Sequence, residues 1–229
     1  MPGLVVQPTV YYIIAVTAVI SLFIMILYSQ LRKFNPLDEP KGLVLLAIMA
    51  YRFVDDMLRQ ETNEKITEKL GPYIAVTLLY IFLSNISGLF GIEPPTANYS
   101  VTLTLAAITV ILIEVNAIKF NGVKNYVKSL FEPLAPFVFI NVISKFSTLM
   151  SLSLRLFGNI VSGSILMTII YLLFAKVSSV IPFIGAFNFV GVAIAPFLHF
   201  YFDLFAGLIQ TYIFTTLTVT FIGKELPDK

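Results

Sequence analysis

The stretch that decides the fold is residues 133–174, PLAPFVFINVISKFSTLMSLSLRLFGNIVSGSILMTIIYLLF. An α-helix needs about 20 predominantly apolar residues to cross the hydrocarbon core of a bilayer. This run has roughly twice that length, so its helix must be tilted, bent or broken. A second run, residues 187–222, is also longer than one crossing requires. The two runs predict a hairpin of long, tilted helices, with its turn at Pro182 and Gly185.

Three shorter apolar runs precede this hairpin, and each fits a single crossing. They are residues 10–31, 73–92 and 101–120. Residues 42–70 differ, because their first half is apolar and their second half is charged. That pattern predicts an amphipathic helix at the membrane interface, and Gly71-Pro72 is expected to restart the chain after it. Glu93-Pro94-Pro95 predicts the next turn. A short basic loop is expected at residues 121–132, and a polar tail after residue 222.

The composition is that of a membrane protein. Of the 229 residues, 58% are hydrophobic and only 12% are charged, whereas charged residues make up about 25% of a soluble domain. The mean hydropathy is +0.90. We therefore expect one integral membrane domain, residues 1–229, of the all-α polytopic class, with five crossings and one interfacial helix. The first ten residues contain no Lys or Arg, which predicts a retained first span rather than a cleaved signal peptide.

The sequence also excludes several functional classes. The chain contains no cysteine, which rules out a disulfide framework, thiol catalysis and cysteine metal sites. We expect neither a metal nor a cofactor. The formal net charge of +2 is too small to indicate nucleic-acid binding. The sequence contains no phosphate-binding Gly-Lys-Ser/Thr loop, so we expect no direct nucleotide binding and no phosphoryl chemistry in this chain.

The distribution of Lys and Arg predicts the orientation in the membrane. If the N-terminus lies outside, the outer loops carry only Lys176. The other basic residues of the loops and interfaces then lie inside: Arg32, Lys33, Lys41, Arg52, Arg59, Lys65, Lys69, Lys119, Lys124, Lys128, Lys224 and Lys229. This asymmetry favours an outer N-terminus and a C-terminus in the cytoplasm.

Arg155 is the sharpest candidate for function. An ionisable side chain within a membrane costs about 2.5–3.5 kcal/mol on insertion scales, so such residues are functional candidates by default. At helical spacing Arg155 belongs to a stripe of polar residues, Ser144, Thr148, Ser151, Asn159 and Ser162, with Gly158 beside it. The stripe predicts an arginine held against a polar or aqueous path. The alternative is close helix packing, with a carboxylate elsewhere in the chain neutralising the arginine.

The last helix is predicted to carry a second polar face. This face joins His199, Asp203 and Gln210 to Gly207, Thr211, Phe214 and Thr218. A buried carboxylate without a partner tends to take up a proton, so Asp203 is a candidate proton relay. His199 is a weaker one, because a lone histidine on an apolar face is commonly a packed core residue. Glu114 and Lys145 leave two interpretations open: a structural ion pair, or groups flanking an inner water-filled vestibule.

Three motifs resemble those of a known family. Residues 154–159, LRLFGN, followed by Gly163, are similar to the signature of subunit a of the F-type rotary ATP synthase. Residues 95–98, PTAN, leading into TLTL at 102–105, resemble the outer-turn motif of that family. Residues 210–215, QTYIFT, resemble its last-helix motif. The resemblance covers most of the chain from the second span onward.

The resemblance implies a stator channel subunit that packs against a rotating c-ring of small hairpin subunits, each with one membrane-buried carboxylate. Arg155 would separate two offset half-channels, attract the ionised ring carboxylate and prevent a direct proton leak. Arginine suits this role because it remains protonated. Further residues implied along the proton path are Asp203, Asn159, Gln210, Glu114, His199, Ser164, Ser151 and Ser162. The other implied partners are the peripheral-stalk subunit b, the remaining subunits of the synthase and the lipid bilayer. The implied location is a bacterial plasma membrane, with an organellar inner membrane as the alternative.

The sequence departs from the common pattern of the family at several positions. Ser164 stands where many relatives have glutamate, and Asp203 occupies a variable position of the last helix. The relay carboxylate is therefore expected to have moved between the two helices. Lys145, with Ser144 before it, replaces another glutamate, and Asn98 replaces an outer-turn aspartate.

Two other functions remain open from the sequence. A self-contained secondary ion transporter or channel would use the same polar stripes, but it would work without partners. A structural scaffold would tolerate apolar residues at both Arg155 and Asp203.

Overall fold

The computed structural model describes residues 8–35, 39–179 and 188–225. Within those ranges all regular structure is helical. The α-helices are α1 Pro8–Lys33, α2 Gly42–Glu61, α3 Glu64–Ile86, α4 Tyr99–Leu130, α5 Val138–Ser178, α6 Phe189–His199 and α7 Ala206–Lys224. Short 3₁₀ turns lie at Ser87–Phe90, Pro95–Ala97 and Ala135–Phe137, and a π-helical segment, Phe200–Phe205, joins α6 to α7.

Five helical segments of the described chain are long and apolar enough to cross a membrane. They are Val10–Lys33, Glu64–Phe90, Tyr99–Leu130, Ala135–Ser178 and Phe189–Lys224. The predicted class, an all-α polytopic membrane protein with five such segments, is confirmed. Helix α5 has 41 residues and is therefore about 60 Å long, roughly twice the thickness of the hydrocarbon core.

The prediction of one interfacial helix over residues 42–70 is wrong at its C-terminal end. Helix α2 ends at Glu61, where the Thr62 hydroxyl donates to the Leu58 carbonyl at 2.7 Å. The Asn63 carbonyl then accepts the first backbone bonds of α3. The break expected at Gly71-Pro72 is absent, because Pro72 lies inside α3. A membrane helix tolerates proline where packed neighbours hold its shape.

The basic loop expected at residues 121–132 is also mostly helical. Helix α4 continues to Leu130, and a single residue, Gly122, leaves the helical conformation with φ 76° and ψ 151°. Glycine adopts positive φ without steric cost, so the chain changes direction at one residue and resumes its helix. This change of direction lets the Tyr126 hydroxyl contact the Glu114 carboxylate, twelve residues earlier.

The last long helix was predicted as one element, residues 187–222, but it has three parts. Helix α6 passes into the π-helical segment, and α7 continues from there to Lys224, two residues beyond the predicted end. Within the described residues, α6 begins after Asn188, whose side chain accepts a bond from the Gly191 amide at 2.9 Å. The predicted turn at Pro182 and Gly185 lies outside the described residues.

Helices α2, α3, α4, α5 and α7 form the core in two clusters. One cluster joins the end of α2 to α3, α4 and the end of α7: Val54, Leu58, Ile66, Leu70, Ile74, Ala75, Ile113, Val219 and Ile222. The other joins α3, α4, α5 and α7: Ile81, Ala106, Leu152, Leu156 and Phe214. Threonines of α7 are buried beside these clusters because their hydroxyls bond to carbonyls of the preceding turn. Leu152 and Leu156 fix one face of α5 against the core and leave its opposite face exposed.

Candidate ion-translocation site

Arg155 lies on the face of α5 that turns away from the core. Its neighbours Leu152 and Leu156 are 1% and 0% exposed, while Arg155 itself is exposed. The guanidinium has one hydrogen bond, from Nη2 to the Ser151 hydroxyl at 3.5 Å. Within the parts of the chain that the structure describes, no carboxylate forms an ion pair with Arg155. The internal neutralisation considered for the packing alternative is therefore not found among these residues.

Two buried amides lie on the helices that carry Arg155 and the last-helix motif. Asn159 Nδ2, one turn after Arg155, has no hydrogen-bond partner among the described residues, and neither has Gln210 Nε2. Gln210 is only 5% exposed. A buried amide donor is costly unless it is paired. Asn159 and Gln210, both implied along the proton path, therefore have amide donors for which the described residues supply no acceptor.

His199 and Asp203, predicted to share a face of the last helix, form a direct pair. His199 Nδ1 lies 2.6 Å from Asp203 Oδ2, and the side chains are 39% and 22% exposed. Asp203 lies within the π-helical segment Phe200–Phe205, and such segments are frequent at functional sites. The Tyr171 ring, on α5, lies 6.3 Å from the imidazole ring. The pair places two side chains that can act as general acids or bases within hydrogen-bonding distance of each other.

Gly88 makes room for this pair, and sequence reasoning missed it. A Cβ atom at Gly88 would lie 3.1–3.3 Å from the carboxylate carbon and oxygens of Asp203. The turn after α3 thus supplies a flat wall against which the carboxylate rests. Nothing in the sequence around Gly88 indicates this contact, because 115 residues separate it from Asp203.

The predicted serines have different surroundings. The Ser164 hydroxyl donates to the Val161 carbonyl at 3.0 Å, and the Ser162 hydroxyl donates to the Gly158 carbonyl at 2.5 Å. Both serines are exposed. A Cβ atom at Gly163, between them, would lie 3.8 Å from the Phe202 ring. Gly163 and Phe202 thus bring α5 close to the π-helical segment. Ser164 follows Gly163 in the sequence, and Asp203 follows Phe202.

Glu114 and Lys145 form the ion pair that was one of the two interpretations left open by the sequence, and they also line a cavity. Lys145 Nζ donates to Glu114 Oε1 and Oε2 at 2.9 and 2.8 Å and to Glu225 Oε1 at 3.3 Å. Tyr126 donates its hydroxyl to Glu114. The cavity has a volume of about 220 Å³. Its lining consists of Val110, Ile113, Glu114, Ser144, Lys145, Thr148, Phe221, Lys224 and Glu225.

Sequence reasoning assigned Glu225 to the polar tail and missed its place in this cluster. The only available signal was charge complementarity to Lys145, and a separation of 80 residues makes that signal too weak to use.

A second missed group is Asn85, which is 1% exposed. It donates to the Gly207 carbonyl at 3.3 Å and accepts from the Thr96 hydroxyl at 3.0 Å, so it joins the turn Pro95–Ala97 to α7. Asn98, a departure from the family pattern, accepts from the Ser100 amide as the cap of α4.

The fold and site define a class. The protein is a helical membrane protein with an exposed arginine on its longest helix. Lys145 lies ten residues before Arg155 on the same helix, about 15 Å along its axis. Its side chain lines the charged cavity. A carboxylate–imidazole pair lies on the neighbouring helix. Ionisable groups in this arrangement are characteristic of proteins that move ions across membranes.

Comparison with known proteins identifies the family. The profile of the family described as ATP synthase A chain matches residues 9–223, and the chain belongs to that family. A protein of Bacillus pumilus named ATP synthase subunit a is 31% identical over 229 residues, covering 94% of this chain and 91% of that protein. A Priestia megaterium protein of the same name is 35% identical and covers 76% of each chain. The corresponding Mycoplasma genitalium protein is 31% identical, covering 92% and 77%.

Family membership confirms the resemblance that the motifs indicated. The chain is a component of the membrane sector of an ATP synthase, with a general role in proton transport and ATP synthesis. A self-contained transporter and a membrane scaffold are not supported, because the relatives are named as subunits of a synthase.

Proposed function

We propose that Arg155 is the electrostatic barrier between two offset half-channels and that it pairs transiently with the carboxylates of a rotating c-ring. The observation that carries this proposal is the exposed guanidinium, which has a single 3.5 Å bond to Ser151 and no ion pair with a described carboxylate. An arginine at membrane depth requires an anionic or polar partner. A carboxylate from another subunit supplies the missing charge.

Each ring carboxylate arrives protonated, loses its proton to one half-channel and pairs with Arg155 as an anion. It then accepts a proton from the other half-channel and rotates into the lipid as a neutral group. Because Arg155 remains protonated, its positive charge repels a proton that would otherwise pass directly between the half-channels. The amide nitrogens of Asn159 and Gln210, which have no partner in the described ranges, hydrogen-bond the carboxylate or its water during this exchange.

The His199–Asp203 pair is the proton-exchanging group of the outer half-channel. The 2.6 Å contact lets a proton pass between imidazole and carboxylate with little movement. Ser164, on the neighbouring helix, contributes a hydroxyl near the same path. The Glu114–Lys145 pair and its cavity mark the inner half-channel, and Ser151 and Ser162 border Arg155 on the surface that faces the ring.

The proposal also includes the orientation and the partners. The N-terminus lies outside and the C-terminus lies in the cytoplasm, as the Lys and Arg distribution favours. The partners are the c-ring, the peripheral-stalk subunit b, the remaining subunits of the synthase and the lipid bilayer. The bacterial relatives favour a bacterial plasma membrane.

Replacement of Arg155 tests the barrier role. Arg155→Ala is expected to abolish coupled proton pumping and ATP synthesis while the complex still assembles. Arg155→Lys is also expected to fail, because lysine can lose its proton when desolvated and lacks the planar guanidinium. The assay is ATP-driven acidification of inverted vesicles, with the amount of assembled complex measured in parallel.

Arg59→Lys is the matched control for this experiment. Arg59 forms exposed ion pairs with Asp55 and Glu64 at 2.7 and 3.5 Å, so its replacement by lysine is expected to leave pumping unchanged. Near-normal pumping by Arg155→Lys would contradict the barrier role.

A further inference from the structure

Glu225 is held in a defined position at the end of α7. Its backbone carbonyl accepts a hydrogen bond from Asn121 Nδ2, on α4, at 2.8 Å. Two residues earlier, Gly223 packs tightly against the end of α2, since a Cβ atom there would lie 2.9 Å from the Glu61 carbonyl oxygen. Contacts from two helices therefore fix the last turn of α7.

The two carboxylates that contact Lys145 differ in how much of their hydrogen-bonding capacity is used. Glu114 accepts two bonds from Lys145 and one from the Tyr126 hydroxyl, and its side chain is 22% exposed. Glu225 has one contact with Lys145, at 3.3 Å, and is 35% exposed. The Glu114 oxygens are thus occupied by donors, whereas Glu225 retains an oxygen that can accept a proton.

The cavity beside Glu225 shares a helix face with Arg155. Its wall includes Ser144 and Thr148, which belong to the same polar stripe of α5 as Ser151 and Arg155. Ser151 in turn accepts the hydrogen bond of the guanidinium. The stripe therefore runs from the charged cavity to the arginine along one helix.

We propose that Glu225 is the proton-exchanging carboxylate of the inner half-channel, with Lys145 positioning it and Glu114 holding Lys145 in place. This inference rests on the proposed function and adds a residue to it. Glu225 takes one proton from the inner aqueous phase, forming an O–H bond, and releases that proton into the cavity, returning to a carboxylate. In the opposite direction of rotation the same two steps run in reverse.

Several charged or titratable groups face Glu225 from the helices packed around it. Lys145 is the group on α5, and Glu114 and Tyr126 are on α4. Lys224 is the preceding residue, and Glu61 lies near Gly223 at the end of α2. Lys145 is the one of these groups that contacts the Glu225 carboxylate directly, so it sets the position of that carboxylate.

The test is the pH dependence of ATP-driven pumping in inverted vesicles that contain the complete synthase, with the pH varied on the exposed cytoplasmic face. Without a proton-collecting carboxylate, proton uptake depends on the free proton concentration. The initial rate of Glu225→Gln is therefore expected to fall by up to about tenfold per pH unit above pH 7. The wild type is expected to decline less steeply over the same interval, because the carboxylate speeds proton collection from the aqueous phase.

A matched control and a second variant keep the test decisive. Glu132→Gln removes an exposed carboxylate that pairs with Lys128 at 3.8 Å outside the cavity, and its profile is expected to match the wild type. Glu225→His replaces the carboxylate with another proton-exchanging group and is expected to restore much of the shallow profile. A purely structural anion would leave the histidine variant as impaired as the glutamine variant.

The failure of this inference is distinguishable from failure of the proposed function. A wild-type pH profile in assembled Glu225→Gln would overturn the role of Glu225, even if Arg155→Ala abolishes pumping. Normal pumping by Arg155→Ala would instead overturn the barrier on which the inference rests. If Glu225→Gln does not assemble, the profile of Glu225→His decides: a steep profile rejects the inference.

Discussion

Replacement of Asp203 by asparagine separates a proton relay from a structural pair. The amide keeps the shape of the side chain but cannot exchange a proton near neutral pH. Loss of a hydrogen bond to a charged group costs about 1.5–3 kcal/mol when the pair is buried. The side chains of His199 and Asp203 are 39% and 22% exposed, which reduces the expected loss of stability to about 1 kcal/mol. The effect on transport is expected to be much larger, about 100-fold, which is the low end of what a positioned acid or base contributes.

The structure also predicts where a replacement carboxylate can be placed. A Cβ atom at Gly88 would lie 3.1–3.3 Å from the present Asp203 carboxylate, and the next carbon of a side chain extends about 1.5 Å further. Gly88→Asp, combined with Asp203→Ala to clear the space, therefore returns a carboxylate close to the same place from the turn after α3. Adding Ser164→Glu to Asp203→Asn tests the equivalent rescue from α5. Each double variant is expected to recover part of the lost rate.

The assay is ATP-driven acidification of inverted vesicles, normalised to assembled complex. Leu89→Ala, which truncates an exposed side chain on the same turn as Gly88, is the control and is expected to pump normally. Full activity of Asp203→Asn would refute the relay. An inactive single variant that neither Gly88→Asp nor Ser164→Glu improves would refute the reasoning that any carboxylate at this place suffices.

Two other predictions follow from the inner cluster and from the orientation. Glu114→Gln leaves Lys145 with Glu225 as its ion-pair partner and is expected to destabilise the solubilised complex by about 1–2 kcal/mol. Adding Lys145→Met should restore most of the thermal stability. Additive effects of the two substitutions would contradict the Glu114–Lys145 pair. A cysteine label at Tyr99 is expected to react from outside and one at Asn125 from inside, and reaction of both from the same side would contradict five crossings.

Helical periodicity was sufficient to predict the parts of the site that lie on single helices. The spacing of Ser151, Arg155 and Ser162 placed them on one face of α5, and the four-residue spacing of His199 and Asp203 placed that pair together. These predictions succeed because side chains three or four residues apart are neighbours on any α-helix. The length of the apolar runs likewise predicted the five membrane-length segments.

Contacts between distant helices were beyond the reach of the sequence. The positions of Gly88 beside Asp203 and of Glu225 beside Lys145 depend on how helices pack, which no local pattern specifies. Local rules also misplaced two boundaries. Pro72 was expected to break the chain, but it lies within α3. The expected loop after residue 120 is a helix with one break at Gly122, because glycine absorbs the change of direction at a single residue.

The most direct test of the central claim is whether the Arg155 face of α5 meets the ring carboxylate. The chain contains no cysteine, so single cysteines can be placed without background and oxidised against a cysteine beside the ring carboxylate in native membranes. Ser151→Cys and Ser162→Cys, on the exposed face, are expected to form disulfides with the ring subunit. Ser153→Cys, at a position 0% exposed in the core, is expected to form none. Cross-linking from residue 153, or its absence from both 151 and 162, would contradict the account.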